Sequence, residues 1–302
     1  MLDIFKVTFP VSGVSTWVFL PPLVTFILGF FGAMAGITGA FLLLPFQMSV
    51  LGYVTPAVSA TNLLYNLWAI PGALYRYIRE GRMNWPLALV MTSGTIPGMF
   101  GGYLIRVFYL PDPRRFKALV GAVLLYLAGR LFSDLVRERG ERGPVTRVTG
   151  IRLGIRYLSF DYGRRTYRID PRPLFGLSLL VGLVGGAYGI GGGAILSPFC
   201  VAVLKLPVYA VASASLFTTL ASSVAGVIFY SVGPSSGPET RPDWLLAALF
   251  GLGGLMGTYL GARLQKYIPE RPIKVGLLLV VLFVGGRYLW QTLPLVFAWM
   301  QR

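Results

Sequence analysis

Two clusters of glycine interrupt apolar stretches of the chain, one at 36–39 (Gly-Ile-Thr-Gly) and one at 189–193 (Gly-Ile-Gly-Gly-Gly). Glycine unwinds a helix, and the freed backbone amides bind anions together with the positive end of the helix that follows. Inside a bilayer, unwound backbone occurs only where protein or a water-filled cavity satisfies it. The clusters therefore predict an anion site. Small residues at this spacing also suit close helix packing, which we favour for Gly29, Gly32 and Gly36.

A run of small polar residues follows each cluster, at 59–66 (SATNLLYN) and at 212–219 (ASASLFTT). Neutral donors suit an oxyanion because no charge has to be buried. The alternative is that they join helices, at ~0.6 kcal/mol per hydrogen bond. At helical spacing each run places three polar side chains on one face: Ser59, Asn62 and Asn66 in the first, and Ser215, Thr218 and Thr219 in the second.

Asn62 and Ser215 occupy matching places in the two runs, which favours a binding role for both. Tyr188 directly precedes the second glycine cluster and is a candidate cap of the site, with packing as the alternative. The predicted substrate-binding residues are Gly36, Thr38, Gly39, Asn62, Tyr188, Gly191, Gly192, Gly193, Ser213 and Ser215.

Groups that perform acid–base or metal chemistry are scarce in this sequence. There is no histidine, and the single cysteine, Cys200, lies in an apolar run. Glu80, Asp134 and Asp243 lie near the ends of apolar segments rather than deep inside them. We therefore expect no enzymatic activity, no metal and no cofactor. Proton-coupled carriers usually have a titratable group inside the membrane, so a uniporter driven by the substrate gradient and membrane potential is the simpler hypothesis.

The composition predicts a protein that crosses a membrane several times. Of the 302 residues, 55% are hydrophobic and 13% are charged, and long uncharged runs recur. Such runs indicate membrane-spanning helices rather than barrel strands. The net charge of +16 lies mostly in loops, where it sets orientation in the cytoplasmic membrane, so we expect a lipid bilayer and no nucleic acid as partner. The segments lie near 17–51, 57–78, 84–109, 117–136, 174–204, 208–232, 244–262 and 275–298.

The chain reads as two copies of one unit. Residues 29–46 and 182–199 share eight identities in 18 positions at a constant offset of 153. We predict a first transmembrane repeat at 1–136, a basic linker at 137–173 and a second repeat at 174–302. The linker carries ten arginines, and its alternating tail around Asp161-Tyr162-Gly163 favours a β-hairpin on the membrane surface.

The length of the first segment in each repeat raises a question of topology. Residues 17–51 would extend about 52 Å as one helix, against a hydrocarbon core of about 30 Å. Either the segment is a tilted, broken helix and the repeats are parallel, or it turns back as a hairpin and the second repeat is inverted. With the linker inside, inversion places 18 Lys and Arg inside and 7 outside, against 16 and 9 for parallel repeats. The positive-inside rule therefore favours inversion.

Arg130 and Arg287 occupy matching places within the last segment of each repeat. Because they lie inside apolar segments, they belong to neither the inside nor the outside count. Long cationic side chains usually extend to the membrane interface, which is the interpretation we favour. The alternative is attraction of an anion into the vestibule.

The paired motifs resemble the TauE/SafE family of sulfite exporter–like permeases, also grouped as toluene-sulfonate uptake permeases. The resemblance rests on the glycine clusters, on Pro45-Phe46 and Pro198-Phe199, and on Ala57-Val58 and Ala210-Val211 ahead of the polar runs. It covers nearly the whole chain. It implies an α-helical transporter of sulfite, sulfoacetate, other organosulfonates or thiosulfate. The first copy differs in having Thr38 and Ala40 where the second has glycine.

Other functions stay open on the sequence alone. The substrate of a carrier is alternatively a small carboxylate, an inorganic anion or a neutral solute. The basic linker alternatively docks anionic lipid or a cytoplasmic partner. A homodimer is a further option that the sequence does not decide.

Overall fold

The computed structural model describes residues 5–35, 38–136, 147–154, 157–163, 165–235, 238–264 and 270–300. Strands β1 (Lys6–Thr8) and β2 (Ser15–Trp17) form one antiparallel pair, and β3 (Val148–Leu153), β4 (Leu158–Tyr162) and β5 (Arg165–Ile169) form an antiparallel sheet. The helices are α1 (Leu20–Ala35), α2 (Ala40–Ser49), α3 (Ala57–Ala69), α4 (Pro71–Arg79), α5 (Trp85–Leu104), α6 (Pro113–Val136), α7 (Pro171–Tyr188), α8 (Gly193–Ala202), α9 (Val208–Val232), α10 (Trp244–Leu264) and α11 (Glu270–Met300).

Most of the described chain is helical, and much of it is long and apolar enough to cross a bilayer. This confirms the prediction of a multi-pass, mainly α-helical membrane protein. Five spans meet both requirements within the described residues, at Trp85–Tyr109, Pro113–Val136, Ala210–Val232, Trp244–Gly261 and Arg271–Thr292. The segment expected at 57–78 is divided by Pro71 into α3 and α4, since proline begins a helix readily but cannot continue one.

The first apolar segment of each half turns back on itself. Gly39, which precedes α2, lies against the middle of α1, so that a Cβ there would be 3.6 Å from the Cα of Gly29. In the second half, a Cβ on Gly185 would be 3.0 Å from the carbonyl carbon of Gly191. Of the two alternatives for this segment, the structure therefore has the hairpin. Gly36 and Ile37 lie outside the described residues.

One end of the bundle, which we call the N-terminal face, carries the β1–β2 pair and the starts of α1, α3 and α10. The backbone amide and hydroxyl of Ser12 donate to one oxygen of Asp243, at 3.0 and 2.9 Å. The amide of Asp243 donates to the Thr61 hydroxyl at 3.0 Å. The amide of Ala57 donates to the Glu239 carbonyl at 3.1 Å.

The opposite end, which we call the linker face, carries the β3–β5 sheet. In the tail around Asp161-Tyr162-Gly163, β4 and β5 form an antiparallel pair with Asp161 opposite Thr166. Leu158 and Phe160 are fully buried against the starts of α5 and α7. Strand β3 completes the sheet and was not predicted, because its six residues lack the clear alternation seen in the tail.

Helices α1 and α10 run side by side in the same direction, as do α5 and α7. Glycines bring the backbones into contact in both pairs: a Cβ on Gly257 or on Gly98 would lie 2.1 Å from a carbonyl oxygen of the neighbouring helix. Close contact through small residues is how membrane helices pack tightly. The contacts that fix the directions are Pro22 with Gly253, Phe26 with Gly257, Phe30 with Gly261, Phe175 with Gly94, Leu179 with Gly98 and Leu183 with Gly102.

The segments that the sequence pairs as α3 with α9 and α6 with α11 run antiparallel. Asn66 contacts Ser223 while Leu63 contacts Gly226. In the other pair, Lys117 contacts Gln291, Gly121 contacts Leu289 and Leu124 contacts Gly285. Related helices run antiparallel when a two-fold axis lies perpendicular to them. This supports an inverted repeat, which stays a prediction.

We expect Glu80, at the linker face, to make stability depend on acid pH. It accepts hydrogen bonds from Arg76 at 2.8 Å and Arg82 at 2.6 Å, which lower the pKa of its carboxyl group. Its stabilising contribution is therefore present above the unfolded pKa of about 4.3 and is lost as the pH falls through the lower, folded pKa. The effect is below about 1 kcal/mol because the pairs are solvent-exposed.

The measurement is thermal unfolding of wild type and Glu80→Gln at pH 7 and at pH 3. The variant should lose the small stability advantage at pH 7 and match the wild type at pH 3. An equal difference between the two proteins at both pH values would contradict this assignment.

Candidate functional site

The second glycine cluster forms a tight reversal between α7 and α8. Gly189 ends α7 in the left-handed conformation, with φ of +91°, and the amides of Gly189 and Ile190 both donate to the Gly185 carbonyl. There is no room for a side chain here: a Cβ on Gly189 would lie 2.4 Å from the Ser59 carbonyl oxygen, and one on Gly193 would lie 2.0 Å from that of Ser215. The reversal is thus enclosed between the backbones of α3 and α9.

Asn62 joins the two broken segments. Its Nδ2 donates to the Gly189 carbonyl at 2.8 Å and to the Ala40 carbonyl at 3.0 Å, while its Oδ1 accepts from Gln47 at 3.3 Å. Tyr188 makes a second link, donating its hydroxyl to the Phe41 carbonyl at 2.7 Å. Both side chains are fully buried. They therefore hold the start of α2 against the end of α7.

Helices α3 and α9 surround the second cluster with neutral polar groups. Asn66 donates to the Ile190 carbonyl at 3.2 Å and to the Ser223 hydroxyl at 3.1 Å. The amide of Gly192 donates to the Ser222 hydroxyl at 3.3 Å. The serines and the asparagine are at most 1% exposed. A small polar shell thus encloses the unwound backbone, as a bilayer requires.

Several buried atoms around the clusters have no hydrogen-bond partner among the described residues. Two are hydroxyls that donate, Thr38 Oγ1 and Ser215 Oγ, and two are amide oxygens that accept, Gln47 Oε1 and Asn66 Oδ1. A buried polar group without a partner costs about 1–3 kcal/mol. Such groups are therefore candidates for contact with a ligand.

The structure brings most of the predicted site residues together. Thr38 and Gly39 directly precede α2, and Gly191 and Gly192 directly precede α8, which begins at Gly193. Asn62 and Tyr188 link the two segments, and the backbone of Ser215 on α9 lies against Gly193. Ser213 does not join this group. Its hydroxyl accepts a hydrogen bond from the backbone amide of Asn84 at 3.2 Å, near the linker face. Gly36 lies outside the described residues.

Sequence reasoning missed part of this shell. The sequence did not predict four members of the shell: Gln47, Thr95, Ser222 and Ser223. Thr95, on α5, lies against the second cluster, because a Cβ on Gly192 would be 2.2 Å from its Cγ2. Asn66 lies on the polar face of its run but is not among the predicted binding residues. A signal existed on α9, because Ser215, Thr219, Ser222 and Ser223 recur at helical spacing on one face. Gln47 and Thr95 are single polar residues in apolar helices and offered no such pattern.

Buried polar side chains continue from the site to both faces along the contact of α3 with α9. Toward the N-terminal face, the Thr61 hydroxyl lies 3.1 Å from that of Tyr53. Toward the linker face, the Thr218 hydroxyl lies 3.1 Å from that of Thr92. We call this set the polar column: Tyr53, Thr61, Gln47, Asn62, Asn66, Ser223, Ser222, Thr219, Thr218, Thr92, Ser213 and Asn84.

Membrane-spanning helices around two broken hairpins, with a neutral polar column between them, form the architecture of a membrane transporter. The family comparison gives the same class. The family model described as Sulfite exporter TauE/SafE matches residues 22–288, so the chain belongs to this family, and the resemblance read from the motifs is confirmed.

Curated relatives match along most of their length. The chain is 24% identical over 275 residues to Probable membrane transporter protein YunE of Bacillus subtilis (strain 168), covering 88% of this chain and 94% of that protein. It is 23% identical over 283 residues to Probable membrane transporter protein MJ0441 of Methanocaldococcus jannaschii, covering 88% and 93%. Their names specify transport but no substrate. No solved structure matches the chain.

Proposed function

We propose that this transporter carries small sulfur-containing anions, such as sulfite, sulfoacetate or other organosulfonates, by alternating access. The observation that supports it most directly is a pair of buried hydroxyls without a partner among the described residues: Thr38 Oγ1, just before α2, and Ser215 Oγ, on the part of α9 whose backbone packs against Gly193. The family description supplies the class of sulfur oxyanion.

The electrostatics around the breaks favour an anion. Helices α2 and α8 both begin at the glycine clusters, and the first amides of a helix have no partner within it. The aligned peptide dipoles place about half a positive charge at each such end. The polar column is neutral throughout, so hydrogen-bond donors and helix ends, and not a buried counter-charge, would hold the bound anion. This supports movement driven by the substrate gradient and membrane potential.

Two inverted repeats, at 1–136 and 174–302, would supply the alternating motion. The reciprocal packing supports this: α1 lies along α10 as α7 lies along α5, and the α3–α9 and α6–α11 pairs are antiparallel. We propose that the linker face, which carries Arg76, Arg79 and the described arginines of β3 and β5, is cytoplasmic, because positive residues concentrate on that side of the cell membrane.

One experiment distinguishes this proposal from two alternatives, a carrier of another small anion and a docking role of the linker. The purified full chain is placed in liposomes, and uptake of sulfite, sulfoacetate, sulfate and acetate is measured against protein-free liposomes. We expect saturable uptake of sulfite or sulfoacetate that exceeds the uptake of both sulfate and acetate. Preference for acetate or sulfate would indicate a carrier of another small anion. No saturable uptake of any of them would contradict an anion carrier and favour the docking role of the linker.

Two serines on α9 provide a matched pair that separates binding from folding. Ser215→Ala removes a buried hydroxyl that has no partner among the described residues, so we expect weaker substrate affinity, by about 2- to 10-fold, with stability equal to or above that of the wild type. Ser213→Ala removes the hydroxyl that accepts the Asn84 amide, so stability should fall by about 0.5–1.5 kcal/mol while affinity is kept.

The measurements are the KM for sulfite uptake and the thermal unfolding midpoint of each variant. An unchanged KM in Ser215→Ala, or a larger KM change in Ser213→Ala, would move the binding site away from the start of α8.

A further inference from the structure

Arg106 is a fully buried cation at the N-terminal face. It lies in a π-helical turn, Ile105–Tyr109, that continues α5, and such turns occur frequently at functional sites. One terminal nitrogen of its guanidinium donates to the Leu110 carbonyl, and the other donates to the Val54 carbonyl at 3.1 Å. The guanidinium carbon lies 3.7 Å from the centre of the Phe116 ring.

The positive charge of Arg106 has no carboxylate partner among the described residues, and the ion pairs of Glu80 lie at the opposite face. Carbonyl oxygens and an aromatic ring compensate a buried guanidinium only in part. Its Nε–H, in addition, is buried and has no acceptor within the part of the chain that the structure describes. A buried guanidinium with a free donor is suited to an oxyanion, since arginine matches the geometry of such groups well.

A second buried donor belongs to the residue that follows Val54, whose carbonyl Arg106 binds. This is the hydroxyl of Thr55, which has no partner among the described residues. Tyr53, which precedes Val54, is the last member of the polar column at this face, through its contact with Thr61. The Tyr53–Thr55 segment therefore connects the guanidinium to the end of the column.

We propose that Arg106 and Thr55 form a second oxyanion-binding site, at the N-terminal-face end of the polar column. This inference rests on the proposed function and adds a place where the carried anion binds on entry or exit. A cation at the mouth of a neutral column raises the local concentration of anions. The column itself consists of neutral side chains. The Arg106 site would therefore attract the anion, and the site at the two hairpins would bind it during passage.

The test measures the KM for sulfite from each face, in right-side-out and inside-out membrane vesicles that contain the full chain. Thr55→Val removes the hydroxyl at nearly constant volume and keeps the cation. We expect its KM from the N-terminal face to rise roughly fivefold, with the KM from the linker face unchanged. Arg106→Lys keeps the charge but loses the fork of donors, and its KM from the same face should rise roughly tenfold or more.

Arg114→Gln is the matched control, because Arg114 is an exposed arginine at the start of α6 on the same face. It should leave both KM values unchanged. Wild-type KM in Thr55→Val from the N-terminal face would overturn the inference, and this variant decides alone if Arg106→Lys fails to fold on gel filtration. Absence of saturable flux of both sulfite and sulfoacetate in the wild type would instead overturn the proposed function, and this inference with it.

Discussion

Gly189→Ala is expected to destroy the native arrangement of the second hairpin and to abolish transport. Its φ of +91° costs a non-glycine residue about 1–2 kcal/mol. A Cβ there would also lie 2.4 Å from the Ser59 carbonyl oxygen. This steric clash adds about 1–3 kcal/mol to the loss of stability. We expect a loss of about 2–5 kcal/mol in all. Thermal unfolding of the purified protein and sulfite flux are the measurements.

Gly176→Ala is the matched control in the same helix. A Cβ on Gly176 meets nothing within 4 Å, and its backbone is helical. Alanine there should be neutral or slightly stabilising, by about 0.5–1 kcal/mol. If Gly189→Ala unfolded at the same temperature as Gly176→Ala and kept wild-type flux, the close approach of the hairpin to α3 would be wrong.

Asn62→Leu is the second change with a large expected effect. It leaves three buried groups without their partner: the carbonyls of Ala40 and Gly189 and the side-chain amide of Gln47. Hydrogen bonds between membrane helices contribute ~0.6 kcal/mol on average, and a buried group left unpaired costs about 1–3 kcal/mol. We therefore expect a loss of about 2–5 kcal/mol together with loss of flux.

The control for Asn62→Leu is Ser93→Ala, on α5. Ser93 is exposed, and its hydroxyl donates to the Val90 carbonyl of its own helix, at 2.9 Å. This variant should unfold like the wild type. If Asn62→Leu had wild-type stability, the hydrogen bonds of Asn62 would not be what holds the two hairpins together. Substrate binding would then be the remaining role for Asn62.

The hairpins illustrate what the sequence determines and what it does not. The length of 17–51 and the glycines at 36–39 predicted a break, because a straight helix would exceed the membrane. The direction of the chain after the break depends on tertiary contacts, such as Gly39 against Gly29, that no local pattern encodes. The charge count favoured the hairpin only indirectly, through the side of the membrane on which each loop lies.

The polar residues show a similar limit. Ser213 and Ser215 are two positions apart in one run, and the sequence made both candidates. The first pairs with the Asn84 amide, and the second has no partner among the described residues. The same neutral residue types occur in helix contacts and in ligand sites. The residue type therefore does not separate the two roles, and only the positions of the neighbouring groups do. The same holds for Asn62, which bonds backbone in both halves.

The most direct test of the central claim is an experimental structure of the full chain with sulfite bound. We expect an anion beside the starts of α2 and α8, within hydrogen-bond distance of the Thr38 and Ser215 hydroxyls and of backbone amides in 191–193. An anion bound elsewhere on the chain, with both hydroxyls uncontacted, would contradict a binding site at the two hairpins.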